Sequence, residues 1–241
     1  MSSRFLKLVT VGRSNRYVMH SRSVTFAACV TACTVLAVPQ LALASSALSV
    51  TVTDARGAPL AGVVVVAQPD IAAPKAPPGQ KAVMDQRDLE FKPDVLVVQS
   101  GTAVEFPNSD QVRHQVYSFS DAKNFQLPLY AGRAHEPVVF SRAGLVTVGC
   151  NIHDSMVGYI YVTDSPWFGR TGADGTLRLR DLPTGEYTVQ IWHAQLDESG
   201  PQLSSRVHLA DGNAGSVSFR LTRALRPASQ HHGADKKWAD Y

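Results

Sequence analysis

Cys150-Asn-Ile-His153-Asp-Ser-Met156 sets a thiol, an imidazole and a thioether three residues apart on one short segment. Upstream, His114 offers a second imidazole. One thiolate, two imidazoles and a weak thioether form the donor set that holds copper in blue electron-transfer sites. If Cys150 ends a strand, a loop can bring His153 and Met156 toward the same ion. Three donors on one loop cannot surround it alone, so the fourth must arrive from elsewhere. His114 suits that role, because Phe106-Pro-Asn-Ser-Asp-Gln-Val-Arg-His114 is a turn-rich connection leading into a strand.

Each donor also has a plainer role. Cys150 could be a small buried hydrophobe, although that leaves the neighbouring His153 and Met156 unaccounted for. His114 could be a surface loop histidine. Met156, followed by Val157 and Tyr159, could be a core residue, and an axial thioether bond is long and weak in any case. Met84 lies in a strand and competes poorly as a ligand. His135 beside Glu136 reads as a surface residue. His193 and His208 fall in strands of another region, and His231-His232 sit in a polar tail.

The elements that position these groups follow an export leader. Val24 to Ala44 is apolar and uncharged, and Arg4, Lys7, Arg13, Arg16 and Arg22 precede it. Ala42-Leu43-Ala44 before Ser45 is a small-residue cleavage pattern, so residues 1–44 are expected to be removed. The basic head is long, and Met19 is an alternative start. An uncleaved anchor requires about 20 apolar residues, and Pro39 and Gln40 interrupt this run. Val30-Thr-Ala-Cys33 loosely resembles a lipoprotein box, but its use would bypass the better site downstream.

Cleavage changes the composition. The leader holds 5 of the 23 basic residues and none of the 20 acidic ones, so 18 basic face 20 acidic residues and the net charge is −2. The basicity belongs to export and gives no reason to expect a nucleic-acid partner. Cys29 and Cys33 leave as well, making Cys150 the sole remaining cysteine. In an oxidising compartment a single thiol suggests an intermolecular bridge, a reactive group or a metal ligand, and its neighbours favour the metal.

Removing 44 residues from 241 leaves 197, enough for two small domains. Frequent Val, Thr and Tyr, Gly and Pro punctuation and the lack of an amphipathic helix predict an all-β chain. Residues 47–53 alternate as a half-buried strand does, 54–57 form a turn and 62–68 return. Pro69 to Gln80 reads as a linker. Strands are expected at 83–86, 89–98, 102–106, 115–119, 137–140, 145–149 and 157–163, the pattern of a sandwich or barrel. Asp164 to Gly169 closes this block. Further strands are expected at 176–180, 185–192, 205–209 and 216–221. The tail from residue 223 to 241 is aperiodic and expected to be disordered. A lone hairpin at 47–68 is marginal in water. It therefore needs the strands after 172 as partners, which makes 81–164 an insertion into a sandwich split in sequence.

Two resemblances sharpen this layout. Val50-Thr-Val-Thr-Asp-Ala-Arg-Gly-Ala-Pro-Leu-Ala-Gly62, Asp174-Gly175 and Leu182-Pro-Thr-Gly-Glu-Tyr-Thr-Val189 resemble the carboxypeptidase regulatory-like (transthyretin-like) β-sandwich. That match concerns turns and core positions and implies a fold over 45–68 plus 172–222. Residues 81–164 resemble the cupredoxins. They share the order of an early His, then Cys-x-x-His and a downstream Met, with Leu89–Val98 and Gly101–Phe106 similar to cupredoxin strands. The whole layout resembles exported proteins labelled methylamine utilization proteins. Together these imply two Greek-key sandwiches, one nested in the other, with His114, Cys150, His153 and Met156 holding one type 1 copper. By the same resemblance His153 lies near the surface as the electron port. Gln115 stands where cupredoxins often carry Asn, and Asn151-Ile152 where a Pro is common, which leaves redox tuning open.

The function expected is one-electron transfer in the periplasm between redox partner proteins, with no membrane span after cleavage and no enzymatic activity. No His-x-His pairs suggest a second copper centre, and no nucleophile elbow is present. Copper storage or delivery would use the same ligands. A structural double sandwich with a vestigial site is the third reading.

Overall fold

The computed structural model describes residues 46–132, 136–196 and 202–226. The expected leader, His135, the pair His231-His232 and most of the expected tail lie outside them. Strands and turns make up the described residues, with no helix among them.

β1 (Ser46–Thr53) buries Leu48, Val50 and Val52 fully on one face and leaves the other partly open, as its alternation requires. β2 (Val64–Pro69) behaves differently. The run Val63-Val-Val-Val-Ala67 has two apolar faces: Val63, Val65 and Ala67 enter one core, and Val64 and Val66 enter another. An unalternating apolar run is what a strand covered on both faces requires. Residues 74–77, rich in Pro and Ala, carry no regular structure.

Ten strands follow: β3 (Lys81–Val83), β4 (Asp85–Arg87), β5 (Glu90–Lys92), β6 (Val95–Gln99), β7 (Thr102–Glu105), β8 (Tyr117–Ser120), β9 (Lys123–Gln126), β10 (Val138–Phe140), β11 (Gly144–Gly149) and β12 (Val157–Thr163). They form a five-stranded sheet ordered β6-β12-β11-β8-β9, a three-stranded sheet ordered β10-β7-β3 and the hairpin β4-β5. Five more complete the described chain: β13 (Phe168–Arg170), β14 (Thr176–Leu182), β15 (Gly185–Trp192), β16 (Leu203–Leu209) and β17 (Ala214–Arg220). This last group returns to the first two strands, giving sheets ordered β14-β1-β17 and β13-β2-β15-β16.

Two cores result. One gathers Leu48, Val50 and Val65 with Leu179, Tyr187, Ile191 and Phe219, so its two contributing segments are far apart in sequence. The other gathers Met84, Phe91, Phe106, Val116, Phe140, Val148, Cys150, Met156 and Ile160, all from the intervening stretch. The outer face of β2 joins them. Val64 and Val66 pack with Val95, and the Trp192 ring lies 5.4 Å from Tyr159 and 5.9 Å from Tyr161 between centroids. Arg170 reaches across to the Asp94 carboxylate at 3.2 Å and the Val95 carbonyl at 3.1 Å.

Several elements differ from the sequence expectation. The continuous strand at 89–98 is broken: Asp88-Leu89 turns the β4-β5 hairpin, and Pro93-Asp94 separates β5 from β6. Proline supplies no ladder donor, so the break there has a local cause. β9 was hidden because Lys-Asn-Phe-Gln has little β character by itself, and it forms by pairing with β8. β13, in the stretch expected to close the inserted block, pairs with β2. Residues 223–226, expected to begin the tail, are anchored: Arg226 N donates to the Gln195 carbonyl at 2.9 Å and Gln195 Nε2 to the Arg226 carbonyl at 2.8 Å.

Gly175 joins the turns at one end of the split core. Its φ is +71°, and an added Cβ would lie 2.5 Å from the Val52 carbonyl and 2.9 Å from Leu60 N. Gly175→Ala should therefore lower stability by at least about 1–3 kcal/mol, from the left-handed backbone alone. A urea midpoint that does not move would refute the close approach.

Candidate metal centre

Strand pairing brings the donors together. β11 ends at Gly149, paired with Val157 of β12 on one side and Tyr117 of β8 on the other. An added Cβ at Gly149 would lie 3.1 Å from the Tyr117 ring, so the small residue permits this approach. The segment 150–156 is closed by its own backbone: Cys150 N donates to the Met156 carbonyl at 3.3 Å, and Met156 N to the His153 carbonyl at 2.9 Å. His114 comes in ahead of β8. Its N–H and carbonyl both bond Tyr130, at 2.9 Å each, in an isolated antiparallel bridge.

His114 Nδ1, Cys150 Sγ and His153 Nδ1 converge in a buried cluster, with all three ligand atoms within 4.8 Å of one another. The two nitrogens are 3.1 Å apart, and the sulfur lies 3.8 Å from His114 Nδ1 and 3.7 Å from His153 Nδ1. A triangle with those sides has a circumradius of about 2.1 Å. That radius matches the length of a metal–imidazole bond, about 2.0–2.1 Å, and lies about 0.2 Å from a metal–thiolate bond of about 2.3 Å. The residues present thus fit a single soft or borderline ion such as copper.

His114 is fully buried and Cys150 is 2 % exposed, whereas His153 keeps 8 %. Of the two imidazoles, His153 is the one that reaches toward solvent. Met156 is 1 % exposed, in the same core as Cys150, and its backbone bonds both Cys150 and His153. The compact donor triangle comprises His114, Cys150 and His153, with Met156 at the closing end of their loop.

The surroundings favour a thiolate. Burial pushes the Cys150 thiol up, but His114 and the backbone N–H groups of Gln115 and Ile152 outweigh it and hold the thiol below its ordinary range. The N–H at 115 is backbone, so Gln supplies it as Asn would. Burial also opposes charge on His114, yet hydrogen bonding to Cys150 and Asp110 holds that imidazole above its usual value. His153 is held below its usual value, by burial first and then by the nearby His114 charge.

Four further residues, absent from the sequence reading, build the frame. Asp110 Oδ2 lies 2.8 Å from His114 Nε2. Asn108 Nδ2 donates to the carbonyls of Val112 at 2.9 Å and Tyr130 at 3.0 Å, bracketing the loop that carries His114. Tyr130 Oη donates to the Phe106 carbonyl and accepts from Gln86 Nε2, and burial pushes its phenol up to about 12. The available signal was Asn108 and Asp110 in a turn-rich loop, with an acid four residues before a histidine. Nothing in the sequence marked Gln86. In the stretch 125–130, Leu127 and Tyr130 are buried and Leu129 is 46 % exposed. His208 pairs with Glu186 at 2.8 Å, and His193 is held below its usual value by burial and by Arg170, so neither belongs to the cluster.

No protein-family model matches the chain, and no curated protein matches its sequence. Several solved structures are similar to part of it. A copper-containing nitrite reductase from Thermus scotoductus shares 26 % identity over 39 % of this chain, with a TM-score of 0.33, and the match spans 25 % of the reductase. A methionine-to-alanine mutant of amicyanin in its Cu(I) form shares 20 % over 41 % of this chain and 97 % of its own, with a TM-score of 0.32. A purple cupredoxin from Nitrosopumilus maritimus shares 22 % over 35 % of this chain and 99 % of its own, with a TM-score of 0.31. The fit of the site to an ion rests on its own donor geometry.

Tyr130→Phe removes the donor to the Phe106 carbonyl and the acceptor for Gln86 Nε2 while keeping the ring. The metal-free protein should lose about 1–3 kcal/mol, the cost of stranding buried polar groups. Equal thermal midpoints for the two proteins would show that the network does not support the site.

Proposed function

We propose that this chain is an exported type 1 copper protein that carries single electrons between redox partner proteins. His114, Cys150 and His153 would hold the ion, with Met156 as the weak fourth donor. The observation that carries the reading is the donor triangle, whose three atoms are of the right type and lie one metal–ligand bond length from a common point inside a buried core. Bound copper would supply the Cu(II)/Cu(I) couple.

The residues of the chain do the rest. Backbone N–H groups of Gln115 and Ile152 steady the Cys150 sulfur and favour its thiolate form. Bonds to Tyr130 on one side and Met156 on the other fix His114 and Cys150 to separate segments. Donors held this way change position little when the ion's charge changes, which suits electron transfer over catalysis of substrate chemistry. His153, with its residual exposure, would face the partner. Exposed Val112, Leu129 and Ile152 occupy the three connections around the donors and offer apolar contact to a docking protein.

Export to the periplasm belongs to the same reading, through removal of residues 1–44. No helix among the described residues is long and apolar enough to cross a membrane. We also read 81–164 as a cupredoxin-like domain nested in a transthyretin-like one formed by 45–68 and 172–222, with the second as a rigid support.

Adding Cu(II) to the purified protein should produce an intense visible thiolate-to-copper band that disappears in Cys150→Ser. A colourless protein that holds stoichiometric Cu(I) and releases it to a chelating acceptor would favour storage or delivery. Failure to bind copper in either state would leave a structural double sandwich.

A further inference from the structure

One carboxylate does two jobs beside the donor triangle. Asp110 Oδ1 accepts from Asp88 N at 2.7 Å, and Oδ2 accepts from Leu89 N at 3.0 Å. Oδ2 also meets His114 Nε2 at 2.8 Å, with His114 fully buried and the Asp110 side chain 14 % exposed. Both carboxylate oxygens already accept backbone N–H groups, so the geometry has Asp110 accepting here too and the ring donating its Nε2 proton.

The turn that Asp110 holds needs such help. Asp88 and Leu89 both have φ of +59°, and they alone link β4 to β5. A two-residue hairpin loop with both residues left-handed favours Asn-Gly. Leucine there has no local reason to adopt that conformation. An anion that accepts both turn N–H groups supplies the missing stabilisation from outside the hairpin.

We infer that Asp110 is a positioning residue that fixes His114 as the Nε2–H tautomer, leaving its Nδ1 lone pair for the ion, while holding the 88–89 turn. The inference rests on the copper reading above for its purpose, but its structural content is independent of any metal. With Nε2 occupied by Asp110, Nδ1 is the nitrogen that faces Cys150 Sγ and His153 Nδ1. Partners that orient a ligating histidine in this way set its tautomer and raise its basicity. Asp110→Asn keeps the shape but replaces one acceptor oxygen with an amide NH2 group, which only donates. That NH2 facing Nε2 would favour the opposite tautomer, which places the proton on Nδ1.

The test separates positioning from turn support. The first readout is ring 15N–1H NMR of His114 in the metal-free protein, with Cys150→Ala in each sample to remove the thiolate. The second is Cu(I) affinity measured by competition with a chelator in the Cys150 protein. Asp110→Asn should shift the tautomer away from Nε2–H and weaken Cu(I) binding about 10–100-fold. Adding Asp88→Asn and Leu89→Gly gives the turn its preferred residues. That triple variant should recover thermal stability while its tautomer and affinity remain impaired.

If affinity and tautomer recover along with stability, Asp110 acts only through the turn and the inference is overturned. It is also overturned if Asp110→Asn leaves the Nε2–H tautomer in place. Should the unsubstituted protein bind no copper, the proposed function fails, and the NMR arm still decides the role of Asp110. Should Asp110→Asn alone not fold, the turn-restored variant carries the comparison.

Discussion

Three lone-pair donors packed inside an apolar core repel one another unless protons or a cation lie between them. Around His114, Cys150 and His153 the chain has removed bulk water, so that repulsion is not screened. Every neighbouring bond offsets it. Gln115 and Ile152 offer N–H groups to the sulfur, and Asp110 takes the outer proton of His114. The arrangement is costly to build and is held by groups that cannot easily move, which is the condition for a preorganised ion site.

That rigidity comes from where the donors are tied. Cys150 and Met156 close one hairpin end through their own backbone, while His114 is bridged to Tyr130 on a different segment. The Tyr130 phenol, Gln86 and the Phe106 carbonyl continue the network into the aromatic core, where Phe106, Phe125 and Phe140 pack at 5.7–6.5 Å between centroids. Moving one donor would require moving a strand. The second core adds a further restraint from behind, since β2 is covered on both faces and Trp192 lies against Tyr159 and Tyr161. Burying an aromatic cluster of this kind makes the two cores lean on one another instead of hanging from a linker.

What could be read in advance follows from local chemistry. Alternation in β1 and β15, the unbroken valine run of β2 and the Cys-x-x-His-x-x-Met spacing are each written in neighbouring residues. The misses share a cause. β9 exists because β8 pairs with it, β13 because β2 offers an edge, and the turn at 88–89 because Asp110 accepts the N–H groups of a backbone conformation that Leu89 would otherwise resist. None of these forces acts within the segment it shapes.

The site divides along the same line. The sequence by itself determined the donor types, the spacing of Cys150, His153 and Met156, and the all-β character, because these depend on residue identity and short-range periodicity. Only the tertiary structure decided that His114 Nδ1 would meet Cys150 Sγ and His153 Nδ1, that His153 would keep the outward position, and that Asp110, Asn108, Gln86 and Tyr130 would frame them. The reason is physical: the contacts of His114 with Cys150 and His153, and of Tyr130 with Asn108 and Gln86, join residues 22 to 44 apart, so they depend on how the sheets close, and no local pattern carries that information.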